Sequence, residues 1–230
     1  MPQSQSVNTD PPQDQSAAGL TALIKPKLRG VSHQYAACVS VPAGLLLTLR
    51  APSQRAAVGS LVYTASLVSL FSISALYHQP TWQPHHRKWM RRLDHAAIFF
   101  LIAGTYTPIC LLALPDAKGD KLLLTVWTGA LLGVAQSLLW VTAPKTLVTG
   151  LYLVLGWAGV QSIGQLRDTG VVLVACGGFA YTCGALAYAL KWPNPAPRTF
   201  GYHEIFHALV IVASIFHFTA VARLVLGAST

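Results

Sequence analysis

Long apolar runs, broken only by short connectors, constrain this chain more than anything else in it. Seven can be marked, roughly Gln34–Leu49, Ala57–Tyr77, His95–Leu114, Leu122–Val141, Leu147–Ile163, Val171–Leu190 and His203–Leu226. Each is near the ~20 residues that an α-helix needs to cross ~30 Å of hydrocarbon. The runs are continuous and lack the period-2 alternation of a membrane barrel. Only 10% of the 230 residues are charged, against about 25% in a soluble domain. Too few charges remain to cover a surface facing water, and a mean hydropathy of +0.49 agrees. Lipid is therefore the expected solvent.

The connectors PDAKGD, TAPKT and GQLRDTG are brief, and short connectors place successive helices antiparallel in one bundle. The expected fold is all-α, a seven-transmembrane helix bundle occupying residues 25–230. Residues 1–24, rich in Gln, Ser, Pro and Asp, read as a disordered tail. They contain no apolar core behind a charged start, so they do not read as a signal peptide.

Lys and Arg set the orientation. With the N-terminus inside, the inner segments hold Lys25, Lys27, Arg29, Arg87, Lys88, Arg91, Arg92, Lys145, Lys191 and Arg198. The outer segments hold Arg50, Arg55, Lys118, Lys121, Arg167 and Arg223. Ten against six predicts a cytoplasmic N-terminus and an outside C-terminus. The net charge of +9 is thereby a matter of membrane topology, and no nucleic-acid partner is expected. The four cysteines, Cys38, Cys110, Cys176 and Cys183, all lie inside apolar runs. They read as small buried hydrophobes and suggest no disulfide framework.

On this topology the ionisable residues converge. His78 ends the second run, with Ser74 four residues earlier on the same face. Asp94 opens the third run, and His203 and His207, at i and i+4, open the seventh. Three helices thus bring three imidazoles and one carboxylate to one depth, near the cytoplasmic side. Ionisable groups beside lipid are expensive and mark functional sites. Three neutral imidazoles suit Zn²⁺ and leave a fourth position for water. Asp94 could orient that water or take its proton, and Ser74 could hydrogen-bond to either. Each residue also has a plainer role. The His pair could be interfacial polarity, His78 a C-terminal cap, Asp94 a charge favoured by the helix dipole and Ser74 a packing residue.

The stretch His203-Glu204-Ile205-Phe206-His207 also fits the H-E-x-x-H pattern, in which the glutamate is a protease's general base. The chain offers that reading no third ligand: His217 is ten residues on, ~15 Å along one helix at ~1.5 Å per residue. Glu204 is expected instead to be a helix-start carboxylate. His217 is expected to be a hydrogen-bonded core histidine, a proton relay being the alternative. His85 and His86 are expected to be solvated. Pro108, behind Thr105 and Tyr106, is expected to kink its helix and widen a cavity for a lipid chain.

SALYH (74–78), RRLDHAAIFFLIAGTYTP (91–108) and GYHEIFHALVIVASIFHF (201–218) together resemble the hemolysin III family. That family groups with the progestin and adipoQ receptors and, more distantly, with alkaline ceramidases. The resemblance covers roughly residues 30 to 227. It implies seven transmembrane helices with zinc near the cytoplasmic side. It implies His78, His203 and His207 as ligands, Asp94 at the zinc-bound water, and Ser74 beside them. It further implies a bacterial plasma-membrane protein concerned with lipid homeostasis, and a zinc-dependent hydrolase acting on the amide or ester bonds of membrane lipids. Two other functions stay open: a non-enzymatic membrane sensor with structural zinc, and a pore-forming cytolysin. The segment ahead of the first run reads as a short tail in place of the receptors' long cytoplasmic domain, and His95 and Glu204 stand where receptors commonly carry other residues.

Overall fold

Local signals start the helices where the apolar runs begin. A computed structural model describes residue 26, residues 28–166 and residues 168–228, with only the backbone of Ile163 and Asp168; the tail expected at 1–24 lies outside these. Among the described residues seven α-helices follow in order: α1 (Val31–Leu49), α2 (Gln54–His78), α3 (Pro84–Leu112), α4 (Asp116–Leu139), α5 (Lys145–Gly156), α6 (Asp168–Leu190) and α7 (Tyr202–Leu226). The Ser53 hydroxyl caps α2 by accepting from the Ala56 N–H at 3.2 Å. Pro84 starts α3, where its missing N–H costs nothing. Asp116 occupies the first turn of α4, the favourable end of the helix dipole. Among the described residues there is no β-strand, only a single bridge between Ala196 and Phe200.

Five of these helices are long and apolar enough to cross a membrane: α2, α3, α4, α6 (from Thr169) and α7. One run behaves differently from the sequence expectation. The run Leu147–Ile163 is not one helix. α5 stops at Gly156, and a 3-10 turn follows at Val160–Gln165. The reason lies on α3: the Tyr106 hydroxyl donates to the Gly156 carbonyl at 2.6 Å and accepts from the Gly159 N–H at 3.0 Å. These bonds satisfy backbone groups that would otherwise continue the helix. Pro108 lies inside α3.

The packing is that of an inside-out protein. Leu49, Leu124, Leu139 and Val154 are 82%, 71%, 84% and 74% exposed, while Ser60, Ser66, Ser74, Thr105 and Ser137 are buried. Such an apolar exterior is what lipid requires, and small residues inside let backbones approach. A Cβ on Gly104 of α3 would lie 2.0 Å from the Ser66 hydroxyl oxygen of α2, so only glycine permits this crossing. α2 packs most extensively on α3, α6 on α7, α3 on α4 and α1 on α2, while α7 also touches α1, α2 and α3. The most enclosed span is α3, with 61% of its central window buried against 22% for α4. The short α5 touches α3, α4 and α6 only lightly, and a cavity lies beside it.

Candidate metal centre

The end of α2 and the start of α7 meet at one end of the bundle; α3 begins at Pro84, so Asp94 lies inside that helix and not at its start as expected. His78 is the last residue of α2. His203 and His207 stand one turn apart in the first two turns of α7. His78 and His207 are 8% and 1% exposed, and His203 is partly buried. One nitrogen from each ring lies within 4.8 Å of the others. The Nε2 atoms of His78 and His203 are 3.2 Å apart, and the Nδ1 of His207 is buried without a hydrogen-bond partner.

This group fits a metal ion. Zn–N bonds of ~2.0–2.1 Å in tetrahedral geometry separate ligand nitrogens by ~3.3 Å. The His78–His203 pair already has that spacing, and the third nitrogen, within 4.8 Å of both, needs to close by at most about 1.5 Å.

Neighbouring helices hold the rings in place. Gly30, at φ +81°, sits where a Cβ would lie 2.7 Å from the Cβ of His78, so the start of α1 presses directly on the ligand. The Gln79 side-chain amide donates to the Gly30 carbonyl at 3.2 Å and to the Gln34 amide oxygen at 2.9 Å. On the other side, His33 of α1 stacks on His207 with centroids 3.9 Å apart and planes 9° from parallel. Phe71 meets the His33 ring edge-on at 5.0 Å. His33 is 2% exposed, with the His207 carbonyl beside it, and neither ring nitrogen reaches hydrogen-bond geometry. Sequence reasoning missed this residue. Its only signal is a histidine one position before an apolar run, with no second histidine at helical spacing to mark a shared face.

A cavity of about 180 Å³ opens from this group. Ser74, Asp94, His203 and His207 line its polar end, and Ile98, Ile102, Ile109 and Val210 line much of its length. Ser74, 3% exposed, pairs through its hydroxyl with the Asp94 carboxyl. Carboxylate, hydroxyl and imidazoles therefore share one space. His217 lines the same cavity further along α7. Its ring meets Tyr181 edge-on at 5.4 Å, and Gly177 leaves the room it occupies. The Val174 carbonyl stands beside it, yet neither nitrogen is hydrogen-bonded. His85 and His86 are exposed and pack on each other, away from the site.

Glu204 takes no part in the histidine group. One carboxylate oxygen receives the Arg29 guanidinium, the other accepts from the Gly201 N–H at 2.8 Å, and the residue does not line the cavity. The first oxygen ties the start of α7 to the segment before α1, and the second caps α7 at its own N-cap residue. Glu204→Gln is expected to retain full metal content while losing about 1–3 kcal/mol of stability, read as a lowered melting temperature in detergent. Loss of metal at unchanged stability would contradict this assignment.

The sequence as a whole matches the family model described as Haemolysin-III related over residues 21–218. The chain belongs to the hemolysin III family. Among its relatives is Hemolysin-3 of Bacillus cereus, 31% identical over 215 residues, covering 90% of this chain and 95% of the relative. The Hemolysin-3 homolog of Bacillus subtilis (strain 168) is 31% identical over 194 residues, covering 80% and 86%. The Monocyte to macrophage differentiation factor of Homo sapiens is 24% identical over 165 residues, covering 70% and 67%. With its five apolar helices and its Bacillus relatives, this hemolysin III protein is an integral membrane protein of the bacterial plasma-membrane type.

Proposed function

We propose that this hemolysin III protein is a zinc-dependent hydrolase of acyl amide or ester bonds in membrane lipids, acting in lipid homeostasis. The observation that carries the reading is the meeting of three imidazoles, with two nitrogens 3.2 Å apart, where His203 and His207 line an apolar cavity together with Ser74 and Asp94. His78, His203 and His207 would hold the ion. Zinc bound there supplies Lewis acidity toward a carbonyl and toward water.

The chain's own residues supply the rest. The cavity takes the acyl chain and keeps bulk water from it. Asp94 accepts the proton of the attacking water and returns it to the leaving nitrogen or oxygen. Ser74 fixes the carboxylate for that exchange. The stack of His33 on His207 and the pressure of Gly30 on His78 hold the ligand rings in their planes. Seven membrane passes with a cytoplasmic N-terminus belong to the same reading. The ten-to-six Lys/Arg bias supports them, and the site then lies at the inner leaflet, where lipid is both solvent and substrate.

The test is metal analysis of the purified full chain together with mass spectrometry of lipid products. Vesicles of N-oleoyl sphinganine and of dioleoyl phosphatidylcholine serve as substrates. The expected result is stoichiometric zinc and free oleic acid from at least one of them. Zinc without product would leave a structural ion in a non-enzymatic protein, and protein purified without zinc that still released oleic acid would remove the ion from the reaction.

A further inference from the structure

The mouth of the cavity carries positive charge that the fold does not neutralise. Arg91, one turn before Asp94 on α3, and Lys145, the first residue of α5, both line it. Both are partly buried. Lys191 and Arg29 also act on the Lys145 ammonium, and burial together with repulsion from Lys191, Arg91 and Arg29 holds its pKa below the ordinary lysine value. Of these cations Arg29 has a counter-charge, Glu204. Among the described residues no carboxylate lies within ion-pair distance of Arg91 or Lys145. Asp94 is engaged by Ser74, and the Lys145 ammonium rests 4.8 Å from the centre of the Tyr188 ring.

A general bias toward basic inner segments accounts for Arg87 and Lys88, which are exposed near the start of α3. It does not account for two cations turned into the opening of an apolar cavity, where they repel each other and lose solvation. Their position relative to the site is also specific. Three residues of helix separate Arg91 from Asp94, a rise of ~4.5 Å at ~1.5 Å per residue. In a phospholipid only a few bonds separate the phosphate from the nearer acyl carbonyl.

We propose that Arg91 and Lys145 bind the phosphate of an anionic acyl lipid, whose carbonyl then lies beside Asp94 and the histidine group and whose chain follows the cavity. The placement of the carbonyl rests on the hydrolase reading above; the binding of the phosphate does not. Guanidinium and ammonium paired with a phosphate oxygen form charge-assisted hydrogen bonds, the stronger kind. A neutral lipid of the same chain length would leave both cations unpaired at the mouth.

The experiment measures binding of three probes to the full chain in maltoside micelles: dioleoyl phosphatidic acid, dioleoylglycerol with the same chains and no phosphate, and inorganic phosphate. The combined variant Arg91→Gln/Lys145→Gln is expected to bind phosphatidic acid about tenfold or more weakly and dioleoylglycerol unchanged. Arg87→Gln/Lys88→Gln removes equal charge from the same end of the bundle and is expected to change phosphatidic acid binding by less than about twofold. Arg91→Lys/Lys145→Arg is expected to restore most of the affinity, which separates charge recognition from misfolding. Equal losses in the two Gln variants would overturn the proposal, as would equal wild-type affinity for the two lipids. Inorganic phosphate binding as tightly as phosphatidic acid would reassign the pair to a free anion. Zinc content and oleate release from the same preparations keep the two readings apart. Charge-dependent lipid binding without zinc or turnover removes the hydrolase and leaves the phosphate site. Turnover with undiminished lipid affinity in the Arg91/Lys145 variant does the reverse.

Discussion

His207→Ala protein is expected to purify folded and essentially free of metal. The residue is 1% exposed and supplies one of three nitrogens that lie within 4.8 Å of one another. Two imidazoles remain after its loss, from different helices, and nothing draws them to a common point. Loss of an outer partner of a metal ligand costs about 10–100-fold in affinity, and loss of the ligand itself should exceed that. The wild-type protein should also melt higher with zinc than after chelation, since binding to the folded state alone adds about 4 kcal/mol at a free concentration a thousand times Kd. That increment should vanish in the variant. Elemental analysis after dialysis against a weak chelator reads the first effect, and melting with and without zinc reads the second. A His207→Ala protein that kept stoichiometric zinc through dialysis would dissolve the proposed centre.

Asp94→Asn should behave in the opposite way: zinc retained, turnover lost. Asparagine has almost the same shape and still pairs with the Ser74 hydroxyl, but it cannot carry a proton. Removal of a positioned general base costs about 10²–10⁴ in rate. Oleate release from the vesicle substrates, measured at saturating lipid, is the readout. A variant with the wild-type rate would show that the proton travels by another path. Glu204 provides the internal contrast, because its carboxylate already serves Arg29 and Gly201. Read together, the Asp94 and Glu204 variants distinguish this arrangement from that of a protease helix built on the same five letters.

The helical architecture could be read from the chain because apolar run length is a local property. The common end of His78, His203 and His207 followed from the same source, whereas Asp94 lines the neighbouring cavity from inside α3. Residues at the ends of antiparallel helices share a depth, and the i,i+4 spacing of His203 and His207 puts them on one face. What escaped the sequence depends on side chains meeting across long separations. Nothing near Gly156 announces that α5 stops there; the cause is a hydroxyl on Tyr106, 50 residues earlier. Nothing near Glu204 names Arg29 as its partner, 175 residues away. His33 lacks a neighbour at helical spacing, so only the fold reveals that it lies flat against His207.

Those separations have a consequence for biosynthesis. The two histidines at 3.2 Å are 125 residues apart in the chain, and the carboxylate that fastens the last helix reaches back to the segment ahead of the first. Since α7 leaves the ribosome after the other six helices, no nascent intermediate contains the complete triad. An ion held by the triad would therefore be captured only in molecules whose last helix has already docked. Occupancy would then report on completed insertion, and a chain stalled one helix short would compete for none of the cell's zinc.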